Sequence, residues 1–212
     1  VGEYLDGLFM LDNLRDRTLT EPEHQSQRTT VQALRQNPHY WQTLYPMPYW
    51  SDIQKWSAQH ALNPVMVLAL IRQESRFEPA IKSVAGAKGL MQLMPETAAE
   101  VATNLKFKPY NLENTSDNIR LGTWYLDSTH DTYQDNSMLA IASYNAGPGN
   151  VAQWIKTLDT RDADVFVESI PFDETQTYVK SVLENYWNYL RLYNAPLART
   201  VLSKNVSSPR TP

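Results

Sequence analysis

Apolar residues recur along most of this chain every three to four positions, which is the spacing of an α-helix with one buried face. On this pattern we expect helices over residues 1–16, 31–36, 51–60, 64–75, from 95 to between 101 and 105, 116–126, 137–144, 151–158 and 173–193, with a helical turn within 162–170. Convincing two-residue alternation, the pattern of a half-buried strand, is not evident. The expected fold class is therefore all-α.

The helix predicted over 64–75 carries an acidic residue on its apolar face. Asn63 can cap its N-terminus, and Val67, Ile71 and Glu74 occupy positions i, i+4 and i+7 of one stripe. A carboxylate placed there loses hydration, which disfavours its charged form and raises its pKa. A raised carboxyl pKa suits a general acid near neutral pH. Pairing of Glu74 with a neighbouring arginine, Arg72 or Arg76, is the structural alternative.

The segment after this helix combines glycines with an amide among apolar residues. Gly86 and Gly89 permit positive φ or close backbone approach. Gln92 stands between Met91 and Leu93, and an amide in such surroundings must find hydrogen-bond partners in the protein or in a ligand. We therefore expect a loop whose polar side chain has either a structural or a binding role.

Three motifs along the chain resemble those of one enzyme family. The first comprises GluSerArgPhe from Glu74, then Ser83, then GlyAlaLysGlyLeuMetGlnLeuMetPro from Gly86. The second is SerTyrAsnAlaGly from Ser143, and the third is IleProPheAspGluThr from Ile170. In identity, order and approximate spacing these resemble the catalytic module of the soluble lytic transglycosylases, relatives of goose-type lysozymes. The resemblance covers roughly residues 45–194.

The resemblance implies a lysozyme-like helical domain, with room for a very small β element near residues 86–93. It implies that Glu74 is the catalytic residue, that Tyr144 lies beside it and that Asn145 contacts the reacting region. Further cleft residues, expected to contact sugar or peptide, follow from the same motifs: Ser83, Gln92, Met94, Glu174 and Tyr178. Taken without the resemblance, Tyr144 and Asn145 would be part of a helix end, and Glu174 and Tyr178 a first-turn acid and a core tyrosine.

The implied reaction is cleavage of the β-1,4 bond between N-acetylmuramic acid and N-acetylglucosamine in peptidoglycan, leaving 1,6-anhydro ends. Most glycosidases use two carboxylates, whereas here only Glu74 lies in a motif that suggests catalysis. The 2-acetamido group of the substrate can replace the second carboxylate, with Glu74 first an acid and then a base. A lysozyme- or chitinase-type hydrolase and a non-catalytic wall-binding module are the alternatives.

Three positions depart from the family pattern. Ser143 stands where alanine is usual, and Asn150 and Gln176 stand where arginines are usual. Two positive charges are therefore missing near the expected cleft. Cleavage remains possible in principle, but a preference for the anionic peptide part of the wall is in doubt.

Composition and charge restrict the other possibilities. The chain has 212 residues, 42% of them hydrophobic, a formal net charge of −4 and no cysteine. The absence of a basic block argues against nucleic-acid binding, and the four histidines lack metal-ligand spacing, so we expect no metal and no cofactor. The expected partners are peptidoglycan glycan strands, with other cell-wall enzymes as further candidates, and the expected state is a monomer.

The expected organisation has three parts. Residues 1–44 are predicted to form a helix and linker, which could end a larger helical domain, residues 45–197 the catalytic domain, and residues 198–212 a polar, disordered tail. No stretch is apolar over the roughly 20 residues of a membrane span. Residue 1 is Val and no signal peptide is seen, so we expect a processed or excised form that acts in the periplasm or cell envelope.

Overall fold

The computed structural model describes Gln36 and residues 38–193, and this part of the chain is helical. Its helices are α1 (Pro38–Leu44), α2 (Trp50–Gln59), α3 (Pro64–Ser75), α4 (Pro95–Asn104), α5 (Thr115–Thr132), α6 (Ser137–Ala146), α7 (Pro148–Trp154), α8 (Ala163–Glu168) and α9 (Asp173–Tyr193). Within the described residues, extended pairing is limited to isolated bridges from Lys82 to Lys88 and from Lys88 to Leu93. The all-α prediction is confirmed, and the small β element amounts to these bridges.

Helix α3 has the bounds that its sequence predicts. The Asn63 side chain accepts a 2.9 Å hydrogen bond from the Val65 N–H, which satisfies one of the free donors of the first turn. The helix ends at Ser75, and Arg76 follows in the left-handed region with φ 48°. Ile71 is fully buried, as expected for the apolar stripe that also carries Glu74.

Helix α5 begins earlier than its sequence predicts. We expected Ser116 to begin the helix as a cap, but Asn114 is the N-cap and accepts a 3.0 Å hydrogen bond from the Asp117 N–H. The Ser116 hydroxyl instead donates to Asp52 and accepts from the Trp56 indole N–H, both at 3.1 Å. The pattern of capping residues could not reveal this, because the partners of Ser116 lie on a distant helix.

Helix α1 was not predicted, because the aromatic segment that contains it lacks a clear helical stripe. Tyr40 and Tyr45 are buried, and the Tyr45 ring packs edge-on against Tyr189 with centroids 5.3 Å apart. The Tyr189 hydroxyl donates to the Pro46 carbonyl at 2.7 Å. Tyr40 and Tyr45 are therefore packing residues of this segment.

The chain divides into two compact units. Of the described residues, one unit comprises Tyr49–Tyr186, and the other comprises those up to Pro48 together with residues 187–193. Within the first unit, α5 is central and packs against α2, α4 and α6. The helix predicted over 1–16, the helix predicted over 31–36 except for Gln36, and the tail predicted over 198–212 lie outside the described residues. In the part that the structure describes, none of the helices has the length and apolar character needed to cross a bilayer.

Candidate active site

An open pocket of about 490 Å³ lies between the end of α3, the end of α6 and the start of α9. It is lined by Gln73, Glu74, Asn145, Asp173, Glu174, Thr177 and Tyr178. The sequence-predicted residues Glu74, Asn145, Glu174 and Tyr178 are therefore brought together, although they are spread over more than 100 positions.

Glu74 and Tyr178 form the shortest polar contact in this pocket. The Tyr178 hydroxyl donates to Glu74 Oε1 at 2.5 Å, which is the length of a hydrogen bond to a charged acceptor. Burial and the charge of Glu74 raise the pKa of Tyr178 well above its ordinary value, so its hydroxyl remains a donor. Tyr178 is buried, as the alternative interpretation as a core tyrosine expects, but its hydroxyl contacts the predicted catalytic carboxylate.

The pKa of Glu74 is raised from 4.5 to about 7. Burial is the largest cause, because the charged form loses water; the hydrogen bond from Tyr178 acts against it, and the charge of Glu174 adds to it. Glu74 lines the pocket and keeps some exposure, so a ligand can reach it. Glu74 is thus divided between acid and base near neutral pH, which suits proton transfer in either direction.

Glu74 is not paired with a neighbouring arginine, which was the structural alternative for this residue. The Arg72 side chain is buried, and its Nε donates to Asn185 Oδ1 at 3.2 Å. Neither Arg72 nor Arg76 is among the causes of the pKa shift of Glu74. An ion pair would have lowered that pKa, so the observed direction fits a desolvated acid.

Two further acidic residues line the pocket. Asp173 and Glu174 open helix α9, where negative charge is favoured by the helix dipole, and both are exposed. Glu174 is close enough to Glu74 to raise the pKa of Glu74. The family resemblance predicted Glu174 as a substrate contact, and the structure places its carboxylate at the pocket beside Glu74.

Asn145 is held by a residue of the third motif. The buried Thr175 hydroxyl donates to Asn145 Oδ1 at 2.6 Å. This bond joins the end of α6 to the first turn of α9. Thr175 was quoted in the motif but not singled out as a site residue, and its partner lies 30 positions away.

The charge of Glu74 affects Tyr144, but the Tyr144 hydroxyl forms its hydrogen bond with a different group. Burial and the charge of Glu74 raise the pKa of Tyr144 well above its ordinary value. Its hydroxyl donates to the Met91 carbonyl at 2.8 Å, not to the carboxylate. Tyr144 thus links the end of α6 to the loop that follows α3.

In that loop, residues 76–94, the predicted polar residues bond to the loop's own backbone. Gln92 Nε2 donates to the Gly89 carbonyl at 2.8 Å and to the Ile81 carbonyl at 3.3 Å. Ser83 Oγ accepts from the Ala87 N–H at 3.0 Å. The partly exposed Ser83 and Gln92 and the exposed Met94 do not line the pocket of Glu74.

An unpredicted residue, Asn118 on α5, anchors this loop. Its Nδ2 donates to the Lys88 and Leu112 carbonyls at 3.0 and 2.9 Å, and its Oδ1 accepts from the Met91 N–H at 2.8 Å. A Cβ on Gly89 would come within 2.2 Å of the amide, so glycine is required there by close approach as well as by its φ of 77°. The available signal in the sequence was the position of Asn118, three residues before Leu121, where a residue of the apolar stripe is expected.

A second pocket of about 410 Å³ lies near the end of α2 and contains polar groups that pair with one another. His60 Nδ1 lies 2.8 Å from Asp127 Oδ2, and His130 lies 3.3 Å from the Ser137 hydroxyl. Among residues 38–193, no group of three or more potential ligands is placed to hold a metal ion.

Comparison with protein families identifies the region that contains the first two motifs. The model of the "Transglycosylase SLT domain" matches residues 51–167. That range takes in Glu74, the loop and Asn145, and it ends before Asp173 at the start of α9.

Similar proteins carry related names. "Soluble lytic murein transglycosylase" of Escherichia coli strain K12 is 38% identical over 152 residues, which is 68% of this chain and 24% of that protein. Among solved structures, an inactive glutamate-to-glutamine mutant of lytic transglycosylase Slt from Pseudomonas aeruginosa has a TM-score of 0.69 at 36% identity, over 77% of this chain and 28% of that one. The 70 kDa soluble lytic transglycosylase of Escherichia coli has a TM-score of 0.70 at 35% identity, over 73% and 26%. This chain thus spans about a quarter of the length of these relatives.

Proposed function

The chain belongs to the family of transglycosylase SLT domains, and we propose that it is a peptidoglycan lytic transglycosylase with Glu74 as its single acid and base. Its substrate is the β-1,4 bond between N-acetylmuramic acid and N-acetylglucosamine, and its product carries a 1,6-anhydro end. The names of its relatives support the substrate class.

One observation carries this proposal. Glu74 lines an open pocket and has a pKa of about 7, so a large fraction is protonated at neutral pH. Because Oε1 accepts the Tyr178 hydroxyl, the acidic proton is left for Oε2. That proton passes to the glycosidic oxygen as its bond to C1 breaks, and the substrate's acetamido oxygen bonds to C1.

The second step uses the same carboxylate as a base. Glu74 is now ionised, and the hydroxyl on C6 of the same sugar attacks C1 while the bond from the acetamido oxygen breaks. The C6 hydroxyl proton passes to Glu74, which restores the starting acid. Intramolecular attack has a large effective-concentration advantage over water when the geometry is right.

We propose supporting roles for the other predicted residues. Tyr178 holds Glu74, while Asn145 and Glu174 contact the sugar at the pocket, where they already lie. Tyr144 acts on the site through the Met91 carbonyl. Substrate contacts by Ser83, Gln92 and Met94 stay predictions, although Met94 is exposed enough to pack against a ring.

Hydrolysis is the second candidate reaction, and Glu174 is the observation that favours it. A second carboxylate near the acid can activate water, as in most glycosidases. Mass spectrometry of muropeptides released from purified cell wall decides between them. The transglycosylase proposal expects products lighter by one water than their hydrolysed counterparts, and a digest dominated by reducing ends would overturn it in favour of a lysozyme-type enzyme.

The site of action follows from the substrate. We propose that the protein acts in the cell envelope on glycan strands and is a monomer, with other cell-wall enzymes as candidate partners. A wall-binding module without catalysis is the remaining alternative, and the protonatable pocket carboxylate weighs against it. Loss of turbidity in a suspension of bare cell walls separates an enzyme from a binder.

A further inference from the structure

The contact between Thr175 and Asn145 determines which end of an amide faces the pocket. Thr175 is only 2% exposed, and its hydroxyl donates to Asn145 Oδ1 at 2.6 Å. Asn145 lines the pocket beside Glu74. Because Oδ1 is held on one side by the threonine, Nδ2 is the end that remains for a ligand.

The opposite amide orientation would be less favourable. It would place Nδ2 against the threonine oxygen, and the buried hydroxyl proton would lose the acceptor that it now has. Leaving a buried donor without a partner costs more than an average hydrogen bond contributes. The hydroxyl therefore discriminates between two amide orientations that are nearly equal in shape.

We propose that Thr175 is a positioning residue that holds Asn145 with its NH₂ toward the pocket, so that Asn145 binds an acceptor oxygen of an N-acetyl sugar. This inference rests on the proposed function. It explains why a buried hydroxyl in the first turn of α9 bonds to a side chain of α6.

Because the surrounding groups are acceptors, the orientation of the Asn145 amide determines whether the pocket offers a hydrogen-bond donor at this position. Glu74, Asp173 and Glu174 line the same pocket and offer oxygen acceptors when ionised. A sugar presents acceptors of its own, the acetamide carbonyl above all, and these need a donor from the protein. An Asn145 that turned its oxygen to such a group would repel it, so loss of the orienting hydroxyl should weaken productive binding.

Replacement of Thr175 by two different residues tests the inference. Thr175→Val removes the hydroxyl and keeps the shape, and we expect kcat/KM on cell wall to fall about tenfold, the effect of one lost hydrogen bond. Thr175→Ser keeps the hydroxyl and should stay within about threefold of the wild type. The matched control is Thr123→Val, because Thr123 is equally buried but its hydroxyl donates to the Ile119 carbonyl of its own helix.

A double mutant then shows whether Thr175 acts through Asn145. In an Asn145→Ala background, Thr175→Val should change kcat/KM by less than about twofold, because there is no amide left to orient. Equal activity of Thr175→Val and the wild type overturns the inference. So does an equal loss in Thr175→Val and Thr175→Ser, and so does a tenfold effect that persists without Asn145.

Measurements of the pH profile, of unfolding and of wild-type wall cleavage distinguish a failure of this inference from a failure of the proposed function. The pH profile should keep its alkaline limb in Thr175→Val, since Glu74 and Tyr178 are untouched. If Thr175→Val no longer unfolds cooperatively, Asn145→Asp is the variant to test in its place. This change keeps the oxygen that Thr175 holds and replaces Nδ2 by a second oxygen. Wild-type activity of Asn145→Asp overturns the inference, and a loss of activity supports it. A wild type that does not cleave wall overturns the proposed function and this inference together.

Discussion

Glu74 and the loop after α3 belong to the same sequence motif, but the pocket around Glu74 and the loop use their polar side chains in opposite ways. In the loop, Gln92 and Ser83 bond to backbone groups at most 11 positions away. In the pocket, Glu74 bonds to Tyr178 at a separation of 104 positions, and Asn145 to Thr175 at a separation of 30. Glu74 and Asn145 are each held by one oxygen and have a second polar atom at the pocket.

This difference shows what separates a structural polar residue from a chemical one. A polar side chain whose hydrogen bonds are met by neighbouring backbone shapes that backbone and has little left to offer. A polar side chain that is held at one atom by a partner from a distant helix is oriented, and its other polar atom stays available for a ligand. The loop then supports the site indirectly, through the Met91 peptide that contacts both Asn118 and Tyr144.

The largest expected effect comes from removing the proton donor of the pocket. Glu74→Gln keeps the shape but cannot protonate the leaving oxygen, so we expect wall cleavage to fall more than about 100-fold. Release of soluble muropeptides measures it, and Glu113→Gln, at an exposed residue outside the pocket, serves as the control. A Glu74→Gln variant with more than about a hundredth of wild-type rate would contradict general acid catalysis.

The pH profile gives the next test of the pocket. Glu74 must begin the reaction protonated, and its pKa is about 7, so activity should fall on the alkaline side of about pH 7. The decline should approach tenfold per pH unit well above the pKa. A flat profile between about pH 5 and 9 would remove the acid role from Glu74.

The same shift has a consequence for stability with a definite sign. Folding raises the pKa of Glu74 from 4.5 to about 7, so ionisation costs more in the folded state than in the unfolded state. This cost is absent below about pH 4.5 and grows as the pH rises to about 7. Thermal unfolding at pH 8 should therefore find Glu74→Gln more stable than the wild type by about 1–3 kcal/mol, with no gain at pH 4.

The sequence predicted local features of the fold well. Helix α3 has the predicted bounds because its signals, Asn63 and the apolar stripe ending near Ser75, lie within or beside it. Helix α1 was missed because the aromatic segment that contains it is stabilised by distant partners: Tyr45, the residue after the helix, packs against Tyr189, more than 140 positions away. The pattern of a helix records which face is buried but not which residues meet across it.

The pocket shows the same limit more sharply. Periodicity placed Glu74 on an apolar face, and the family motifs supplied Asn145, Glu174 and Tyr178. No local pattern indicated that the Tyr178 hydroxyl would hold Glu74 or that Thr175 would hold Asn145. Those bonds depend on how α9 returns to α3 and α6, which is a property of the tertiary structure.

On the loop side of the comparison, Asn118 should matter through stability. Asn118→Ala removes three hydrogen bonds and leaves the Leu112 carbonyl and the Met91 N–H unpaired, so we expect a loss of about 2–4 kcal/mol in the free energy of unfolding. Urea titration measures it. Asn104→Ala, at an exposed helix end, should cost less than about 0.5 kcal/mol. An equal, small effect of both changes would show that the loop does not depend on this anchor.

The smallest expected effect is a change in stability at two buried serines, one with hydrogen-bond partners and one without. Ser143 and Ser75 are both buried, at 0% and 2% exposure. The Ser75 hydroxyl donates to the Ile71 carbonyl and accepts from the Phe77 N–H, each at 3.1 Å, whereas the Ser143 hydroxyl has no partner among the described residues.

Alanine replacement should therefore change stability in opposite directions at these two positions. Ser143→Ala removes a desolvated hydroxyl and restores the alanine usual in the family, so we expect a gain of about 0.5–1 kcal/mol in the free energy of unfolding. Ser75→Ala removes a hydroxyl that satisfies the end of α3 and should lose about 1 kcal/mol. Chemical denaturation of both variants measures the two changes side by side. A loss at Ser143 as large as that at Ser75 would mean that its hydroxyl has a partner, and that the end of α6 beside Tyr144 and Asn145 is held by more than apolar packing.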